Sequence, residues 1–383
     1  TMPRRCLLRV LLVALLSLSV LAPVKANWIE RSWEGSSKNW LGITSSSDGA
    51  KLAAVEYGGN IWISADSGAN WNPKGSAQNW LGITSSSDGT KLAAVEWGGN
   101  IWISADSGAN WNPKGSAQNW LGITSSSDGT KLAAVEWGGN IWISADSGAN
   151  WNPKGSAQNW LGITSSSDGT KLAAVEWGGN IWISADSGAN WNPKGSAENY
   201  LSITSSEYGT KLAAVVSNGN IWTSTNSGAN WNKDTSVGST QYWYDITSSS
   251  DGTKLAAVVA NGNLWTSADS GANWNDVTST GIAKQWKGIT SSSDGTKLAA
   301  VVSFGNIWTF DSNCDASAEP THGGVGTCTS SLASGSTCQP TCNSGYTVSG
   351  ASSCSSGTLT TATCAANPCD ASGAPSNGGA GDC

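Results

Sequence analysis

A 40-residue unit repeats along most of the chain, and this repeat limits the folds that the chain can adopt. Residues 39–78 read NWLGITSSSDGAKLAAVEYGGNIWISADSGANWNPKGSAQ, and the three copies that span 79–198 are identical except that Glu198 replaces the final Gln. A unit of this length is too short to bury a core by itself, so neighbouring units must pack on one another. The seven copies begin at Asn39, Asn79, Asn119, Asn159, Asn199, Tyr242 and Gln285.

Each copy predicts four antiparallel strands joined by tight turns. In the second copy, apolar runs end at Asp88-Gly89, at Gly98-Gly99 and at Ser107-Gly108, and a fourth run begins near Trp111. Asp-Gly and Gly-Gly supply the positive φ angles that two-residue hairpins need. The 24 Trp and 47 Gly residues, with only 12% charged residues, favour strands over helices and argue against disorder. We therefore predict one four-stranded sheet per copy.

The two ends of the repeat region complement each other. The seventh copy stops at Phe310-Asp311, before its fourth strand, whereas Asn27-Trp28 matches the Asn110-Trp111 pair that starts this strand elsewhere. A ring whose last sheet takes its fourth strand from the N-terminal end leaves no exposed strand edge. The sequence therefore predicts an all-β fold, a seven-bladed β-propeller of four-stranded antiparallel blades over residues 27–313. A linear solenoid is the alternative, and the divided seventh unit counts against it.

The N-terminal segment is typical of an export signal. Arg4, Arg5 and Arg9 precede an apolar run from Val10 to Val20, and Val24-Lys25-Ala26 offers a small-x-small cleavage site. The apolar run is too short to cross a bilayer, which disfavours the alternative of a membrane anchor. We therefore predict that residues 1–26 form a cleaved signal peptide and that the protein is secreted, with no membrane span after cleavage.

The third turn of five copies has the pattern Ser-x-Asp-x-Gly-x-Asn-Trp, whereas the fifth copy has Asn226 in place of the Asp and the pattern is degenerate around Asp311 in the seventh. Ser and Asp side chains can bond the N–H groups of such a turn, Gly permits positive φ, and Trp covers the hairpin. The pattern resembles the Asp-box, or BNR repeat, of sialidase-superfamily-like propellers, where Thr stands in place of this Asn. The resemblance implies a structural brace. This role is assigned to Ser64, Asp66, Gly68, Trp71, Ser104, Asp106, Gly108, Trp111, Ser144, Asp146, Gly148, Trp151, Ser184, Asp186, Gly188, Trp191, Ser267, Asp269, Gly271 and Trp274.

Composition excludes most catalytic and nucleic-acid-binding functions. The formal net charge of -7 disfavours nucleic acid as a partner, and the single His, His322, leaves no Ser-His-Asp, Cys-His or His-metal site. A sialidase-like site needs three Arg, yet Arg31 is the only Arg beyond the predicted signal. We predict no catalytic residue, no metal and no cofactor. A glycoside hydrolase with a carboxylate pair stays open, because the non-repeated acids are Glu34, Glu207, Asp234, Asp245 and Asp276.

The second hairpin carries the candidate ligand-binding residues. Four adjacent copies place an acidic and an aromatic residue before Gly-Gly, whereas the last three copies have Ser217, Ala260 and Ser303 at the aromatic position. An exposed aromatic ring offers a flat face to a sugar ring, and repetition adds avidity. Packing of these aromatics between blades is the alternative. The candidates are Glu56, Tyr57, Glu96, Trp97, Glu136, Trp137, Glu176 and Trp177.

Residues 314–383 have a different composition and are predicted to form a disulfide-bonded extracellular module. The segment Cys342–Tyr346, followed by Cys354 and Cys364, resembles a sushi (complement-control) module, which implies an adhesion unit. A second, truncated copy begins at Cys369. Spacing leaves the pairing open, because six Cys allow fifteen connectivities. The Cys predicted to form disulfides are Cys314, Cys328, Cys338, Cys342, Cys354, Cys364, Cys369 and Cys383.

These observations predict a secreted, non-enzymatic binding or adhesion protein. Its propeller presents repeated acidic-aromatic tips to a glycan or to an extracellular protein. A secreted glycoside hydrolase and a structural spacer are the alternatives.

Overall fold

The structure is a computed structural model that describes residues 28–33, 35–238, 240–277, 283–330, 332, 335–355 and 357–368. No helix of the described residues is long and apolar enough to cross a membrane. The predicted signal peptide lies outside the described residues, as do Glu34, Cys369 and Cys383.

Twenty strands form the propeller. Several of them are long enough to serve as two of the four strands of a blade, or as the last strand of one blade and the first strand of the next. Their bounds are β1 (Trp28–Arg31), β2 (Lys38–Ser45), β3 (Leu52–Ser64), β4 (Asn72–Ser85), β5 (Leu92–Ser104), β6 (Asn112–Ser125), β7 (Leu132–Ser144), β8 (Asn152–Ser165), β9 (Leu172–Ser184), β10 (Asn192–Ser205), β11 (Leu212–Val216), β12 (Ile221–Ser224), β13 (Asn232–Lys233), β14 (Trp243–Ser248), β15 (Leu255–Gly262), β16 (Leu264–Ser267), β17 (Asn275–Asp276), β18 (Lys284–Ser291), β19 (Lys297–Gly305) and β20 (Ile307–Asp311).

The propeller consists of seven antiparallel blades of four strands each. Blade six shows the plan with separate strands, because β14 pairs with β15, β15 with β16, and β16 with β17. In blade two, β5 holds the second and third positions, while β6 provides the fourth position and then the first position of blade three. The predicted fold class is confirmed.

The second turn of each early blade is not a break between strands, contrary to the prediction from Gly98-Gly99. The strand β5 continues through this turn because the turn residues pair with the connector that leads to the next blade. Trp97 pairs with Asn119, and Gly99 pairs with Gln118. Each hairpin tip is therefore tied to the neighbouring blade.

The N-terminal strand closes the last blade in the predicted register. Trp28 pairs with Phe310 and Arg31 pairs with Ile307, so β1 is the fourth strand of blade seven. The Trp28 ring lies 5.6 Å from the Phe310 ring and 6.4 Å from the Trp286 ring. The closed blade excludes the solenoid alternative.

A ring of backbone hydrogen bonds also closes around the propeller axis. One residue in the first turn of each blade donates its N–H to the carbonyl of the equivalent residue in the next blade, at 2.7–2.8 Å. The seventh bond returns to the first residue, so every blade has two neighbours. We call these residues the axial ring; they are Ser47, Ser87, Ser127, Ser167, Glu207, Ser250 and Ser293.

Aromatic side chains fill the spaces between blades. The inner row is fully buried and consists of Trp40, Trp80, Trp120, Trp160, Tyr200, Trp243 and Trp286. An outer row of Trp recurs once in every copy, which predicts core packing, but most of this row is only half-buried, as at Trp102 and Trp142. The outer rings pack edge-on against the inner ones, with Trp120 and Trp142 centred 5.8 Å apart at 75°. The outer row therefore lies at the edge of the core, between the buried inner row and the solvent.

The third turn is held by its own side chains. Ser104 Oγ donates to Asp106 Oδ1 at 2.8 Å and accepts from the Gly108 N–H at 2.9 Å. Asp106 also accepts from both nitrogens of Asn110, which explains why Asn serves at this position. These hydrogen bonds, from the Asn110 backbone first, lower the pKa of Asp106 to about 2. The Trp111 indole closes the turn by donating to Gly108 O at 3.0 Å.

The Cys-rich segment contains seven short strands and three disulfides among its described residues. The disulfides join Cys314 to Cys354, Cys328 to Cys338, and Cys342 to Cys364, which resolves the pairing that spacing left open. The strands are β21 (Gly323–Gly324), β22 (Thr337–Cys338), β23 (Thr341–Cys342), β24 (Tyr346–Val348), β25 (Ser352–Ser355), β26 (Thr358–Thr360) and β27 (Cys364–Ala366).

Candidate ligand-binding surface

The turns of the blades define two opposite faces of the propeller. The first and third turns lie together, because the Ser67 N–H donates to Ala50 O at 2.8 Å. We call this side the turn face. The second turns lie at the other end of the strands, beside the connectors between blades, as the pairing of Tyr57 with Asn79 shows. We call this side the tip face.

The tip face carries the aromatic residues that the sequence singles out. Tyr57 is 41% exposed, and Trp97 and Trp177 are each 37% exposed, while Trp137 is half-buried. They occupy the same position in four consecutive blades, so their rings follow one arc. We call Tyr57, Trp97, Trp137 and Trp177 the tip row.

Phe304 extends this arc in a way that sequence reasoning missed. It follows Ser303 at the tip of blade seven, where the early blades have Gly, and it is 74% exposed. Its φ is +52°, a conformation that bulky residues rarely adopt. Blades five and six place Asn218 and Asn261 here, which tolerate positive φ better. An exposed ring held in a strained conformation marks blade seven as the next member of the aromatic arc.

The carboxylates of the predicted pairs point into their own blades. Glu96 Oε2 accepts from Trp102 Nε1 at 3.0 Å. With its amide nitrogen turned toward the carboxylate, Gln78 lies 3.0 Å from Glu96 Oε1. The carboxylate also covers Gly99, where an added Cβ would lie 2.2 Å from Glu96 Cδ. The geometry therefore separates the pair, with the aromatic ring facing outward and the acid bracing the tip.

Blade one has the same arrangement with an added cation. Trp62 Nε1 donates to Glu56 Oε2 at 3.1 Å, and Lys38 Nζ lies 3.4 Å from Glu56 Oε1. This is the one ion pair among the described residues. Lys38 also lies 4.9 Å from the centre of the Trp62 ring.

Blade five provides a natural test of this brace. Val216 occupies the position of Glu96, and the Trp222 indole N–H, equivalent to that of Trp102, has no hydrogen-bond partner. We expect Glu96→Val to lower the free energy of unfolding by about 1 kcal/mol, because the Trp102 N–H then loses its acceptor. Urea denaturation followed by Trp fluorescence measures the change. Glu96→Gln is the control, since its amide oxygen still accepts; an equal loss in both variants would contradict the brace.

Arg31 and the non-repeated Asp245 lie in different parts of the ring. Arg31 Nε donates to Thr309 Oγ1 at 2.7 Å inside blade seven, and burial lowers the pKa of this guanidinium. Asp245 lies deep in the ring, where most blades have Gly. It accepts from Ser202 Oγ at 2.6 Å and from the N–H groups of Ile246 and Ile289. Burial raises the pKa of Asp245 to about 6. Its contacts join blades five, six and seven.

A half-buried cation lies in the same part of the ring. Lys287 Nζ sits 3.9 Å from the centre of the Tyr244 ring, and burial lowers the pKa of this ammonium. The described residues contain no group of three His, Cys, Asp or Glu side chains that could hold a metal ion.

No protein-family model matches the sequence, and no curated protein matches it. Solved structures are similar to it in fold. YCF48 from Cyanidioschyzon merolae has a TM-score of 0.60 and 15% identity, covering 75% of this chain and 99% of that one. A YCF48 structure bound to D1 peptide has a TM-score of 0.61 and 16% identity, covering 76% and 98%.

A third solved structure is an enzyme. The GH74 xyloglucanase from Xanthomonas campestris has a TM-score of 0.58 and 15% identity, covering 74% of this chain and 53% of the enzyme. At these identities, the likeness to all three structures shows a shared fold: this chain is a β-propeller.

Proposed function

We propose that this chain is a secreted, non-enzymatic binding protein whose tip row holds a glycan. The observation that carries the proposal is the exposure of Tyr57, Trp97 and Trp177 at equivalent positions of one face. Flat aromatic faces stack on the C–H side of sugar rings, and a row of them can contact successive units of a repeating glycan. The inward-facing carboxylates keep the tips in one conformation, so little entropy is lost on binding.

Further features support the proposal. Three disulfides need an oxidising compartment, which fits export by the predicted signal. The braced third turn resembles the Asp-box, and the Cys-rich segment resembles a sushi module, so both parts fit an extracellular protein. The similar solved structures include a peptide-bound protein and a xyloglucanase, which makes a peptide ligand and glycan hydrolysis the alternatives to test.

A glycan array and a parallel hydrolysis assay test the proposal. We expect the protein to bind at least one polymeric glycan without releasing product. Replacing Trp97, Trp137 and Trp177 together with Ala is expected to weaken this binding at least tenfold, because each lost stacking contact removes part of the avidity. Ala is a suitable replacement, since blade six carries Ala260 at this position.

The outcomes separate the alternatives. Product release would overturn the non-enzymatic proposal. Binding to no glycan on the array would favour a peptide ligand or a structural spacer. Unchanged binding by a folded triple variant would remove the tip row as the site. The matched control replaces Trp111, Trp151 and Trp191 with Ala. These residues lie on the turn face, so this variant should still bind the glycan as long as it stays folded.

A further inference from the structure

A pocket of about 190 Å³ opens on the propeller axis at the turn face. Its wall consists of nineteen Ser residues from the first turns of all seven blades and a single carboxylate, Glu207. A cavity of about 150 Å³ is enough to hold a ring the size of benzene. The pocket can therefore accept a group of about the size of one sugar ring.

The axial ring leaves its side chains available in this pocket. The backbone N–H and C=O of each member are used in the ring of hydrogen bonds. The neighbouring hydroxyls are also engaged, because Ser45 Oγ donates to Ser46 O and Ser46 Oγ donates to Asp48 Oδ1. In the described part of the chain, no hydrogen bond engages the six Ser hydroxyls of the axial ring. They can donate to and accept from a polyhydroxyl ligand.

Glu207 breaks the symmetry of the ring with a negative charge. Six of the seven ring positions are Ser. No Lys or Arg nitrogen of the described residues lies within ion-pair distance of the Glu207 carboxylate. The nearby Lys171 Nζ donates instead to Tyr208 O at 3.0 Å and to Ser227 Oγ at 3.2 Å. A negative charge in the wall of a hydroxyl-lined pocket suits a ligand that brings its own cation.

Tyr208 is the second departure from the repeat, and it removes the side-chain brace from the first turn of blade five. The other six blades have Asp here, as at Asp88, which accepts from Ser86 Oγ at 2.6 Å and from the Thr90 N–H at 2.9 Å. Tyr208 makes no such brace and is 71% exposed. Hydrogen bonding to Glu207 and the negative charge of the Glu207 carboxylate raise the pKa of the Tyr208 phenol. A stabilising turn residue is thus replaced by an exposed ring beside the carboxylate.

We propose that the axial pocket binds an amino sugar with a free, protonated amine. The ammonium group pairs with Glu207, the ring hydroxyls bond the Ser hydroxyls, and the Tyr208 ring covers the C–H face of the sugar. This site lies on the face opposite the tip row, so it stands independently of the function proposed above.

Titration of the protein with fully deacetylated chitotriose at pH 6, followed by calorimetry, tests the site. We expect saturable binding that weakens at least tenfold with the N-acetylated trisaccharide, which has the same rings without the charge. Glu207→Ser should weaken the binding of chitotriose by at least tenfold too. Equal binding of both sugars, unchanged binding by Glu207→Ser, or no saturable binding would each overturn the proposal. Equally tight binding of trilysine would overturn the assignment to a sugar.

Two controls distinguish a loss of amino-sugar binding from a loss of folding, and binding in the axial pocket from binding at the tip row. The double variant Glu207→Ser/Tyr208→Asp restores the turn of the other six blades, so we expect a higher melting temperature together with lost binding. The variant with Ala at Trp97, Trp137 and Trp177 should bind chitotriose as the unchanged protein does. Lost binding in that variant would place the amino sugar on the tip face and overturn the proposal.

Discussion

Trp28→Ala is expected to lower the free energy of unfolding by about 2–3 kcal/mol, because this ring anchors the strand that closes the propeller. A fully buried Trp replaced with Ala costs about 3–5 kcal/mol, and Trp28 is only half-buried, so a smaller loss is expected. Its contacts with Trp286 and Phe310 join the first strand of the chain to the last blade. Urea denaturation measures the loss.

Ile29→Ala is the matched control for this prediction. Ile29 lies next to Trp28 on β1, but it is 47% exposed, so its truncation should change the free energy of unfolding by less than about 0.5 kcal/mol. Removing β1 entirely should have a larger effect, since β20 then presents an open edge that favours association. Equal stability of Trp28→Ala and the unchanged protein would mean that closure contributes little.

The closure was predictable because the repeat makes a missing strand visible. Aligning the copies places Trp28 where the other blades have residues such as Trp111, and this alignment alone sets the register of β1 on β20. Burial of the inner row follows from the same reasoning, because every copy supplies a large aromatic at that position.

Contacts between copies could not be predicted in the same way. The pattern within one copy shows a Gly-Gly turn but not the connector that pairs with it, so β5 continues where a break was predicted. The sequence places the acid beside the exposed ring but does not show that Trp102 and Gln78 approach the carboxylate. Phe304 gives no signal in the repeat, because Ser303 occupies the aromatic position of blade seven and the exposed ring stands one residue later.

Departures from the repeat hold most of the information about function. An identical blade repeats the same packing solution, whereas Tyr208 and Phe304 each give up a favourable local feature. Tyr208 replaces the Asp that braces the first turn of the other six blades, and Phe304 takes a φ of +52°. Residues that break local rules in an otherwise regular fold are where function is expected.

Trp120→Ala is expected to lower the free energy of unfolding by about 3–5 kcal/mol, because it leaves a cavity between blades. Trp120 is 0% exposed, and its indole N–H donates to Gly99 O at 3.0 Å. Trp120→Tyr should cost much less, since blade five carries Tyr200 at the same position. Tyr200 is also 0% exposed, and its hydroxyl donates to Ser196 O at 3.0 Å. Trp97→Ala, at the exposed tip, is the control and should cost less than about 1 kcal/mol.

The same substitution in the neighbouring blades tests the closed ring itself. In a linear array, a terminal repeat has one neighbour and its damage costs less than damage in the middle. In this ring each blade contacts two others, so Trp40→Ala, Trp80→Ala, Trp120→Ala and Trp160→Ala should lower the midpoint of urea denaturation by similar amounts. A marked decrease of the effect from Trp120 toward Trp40 would indicate an array that opens at its ends, and with it a weak junction between blades seven and one.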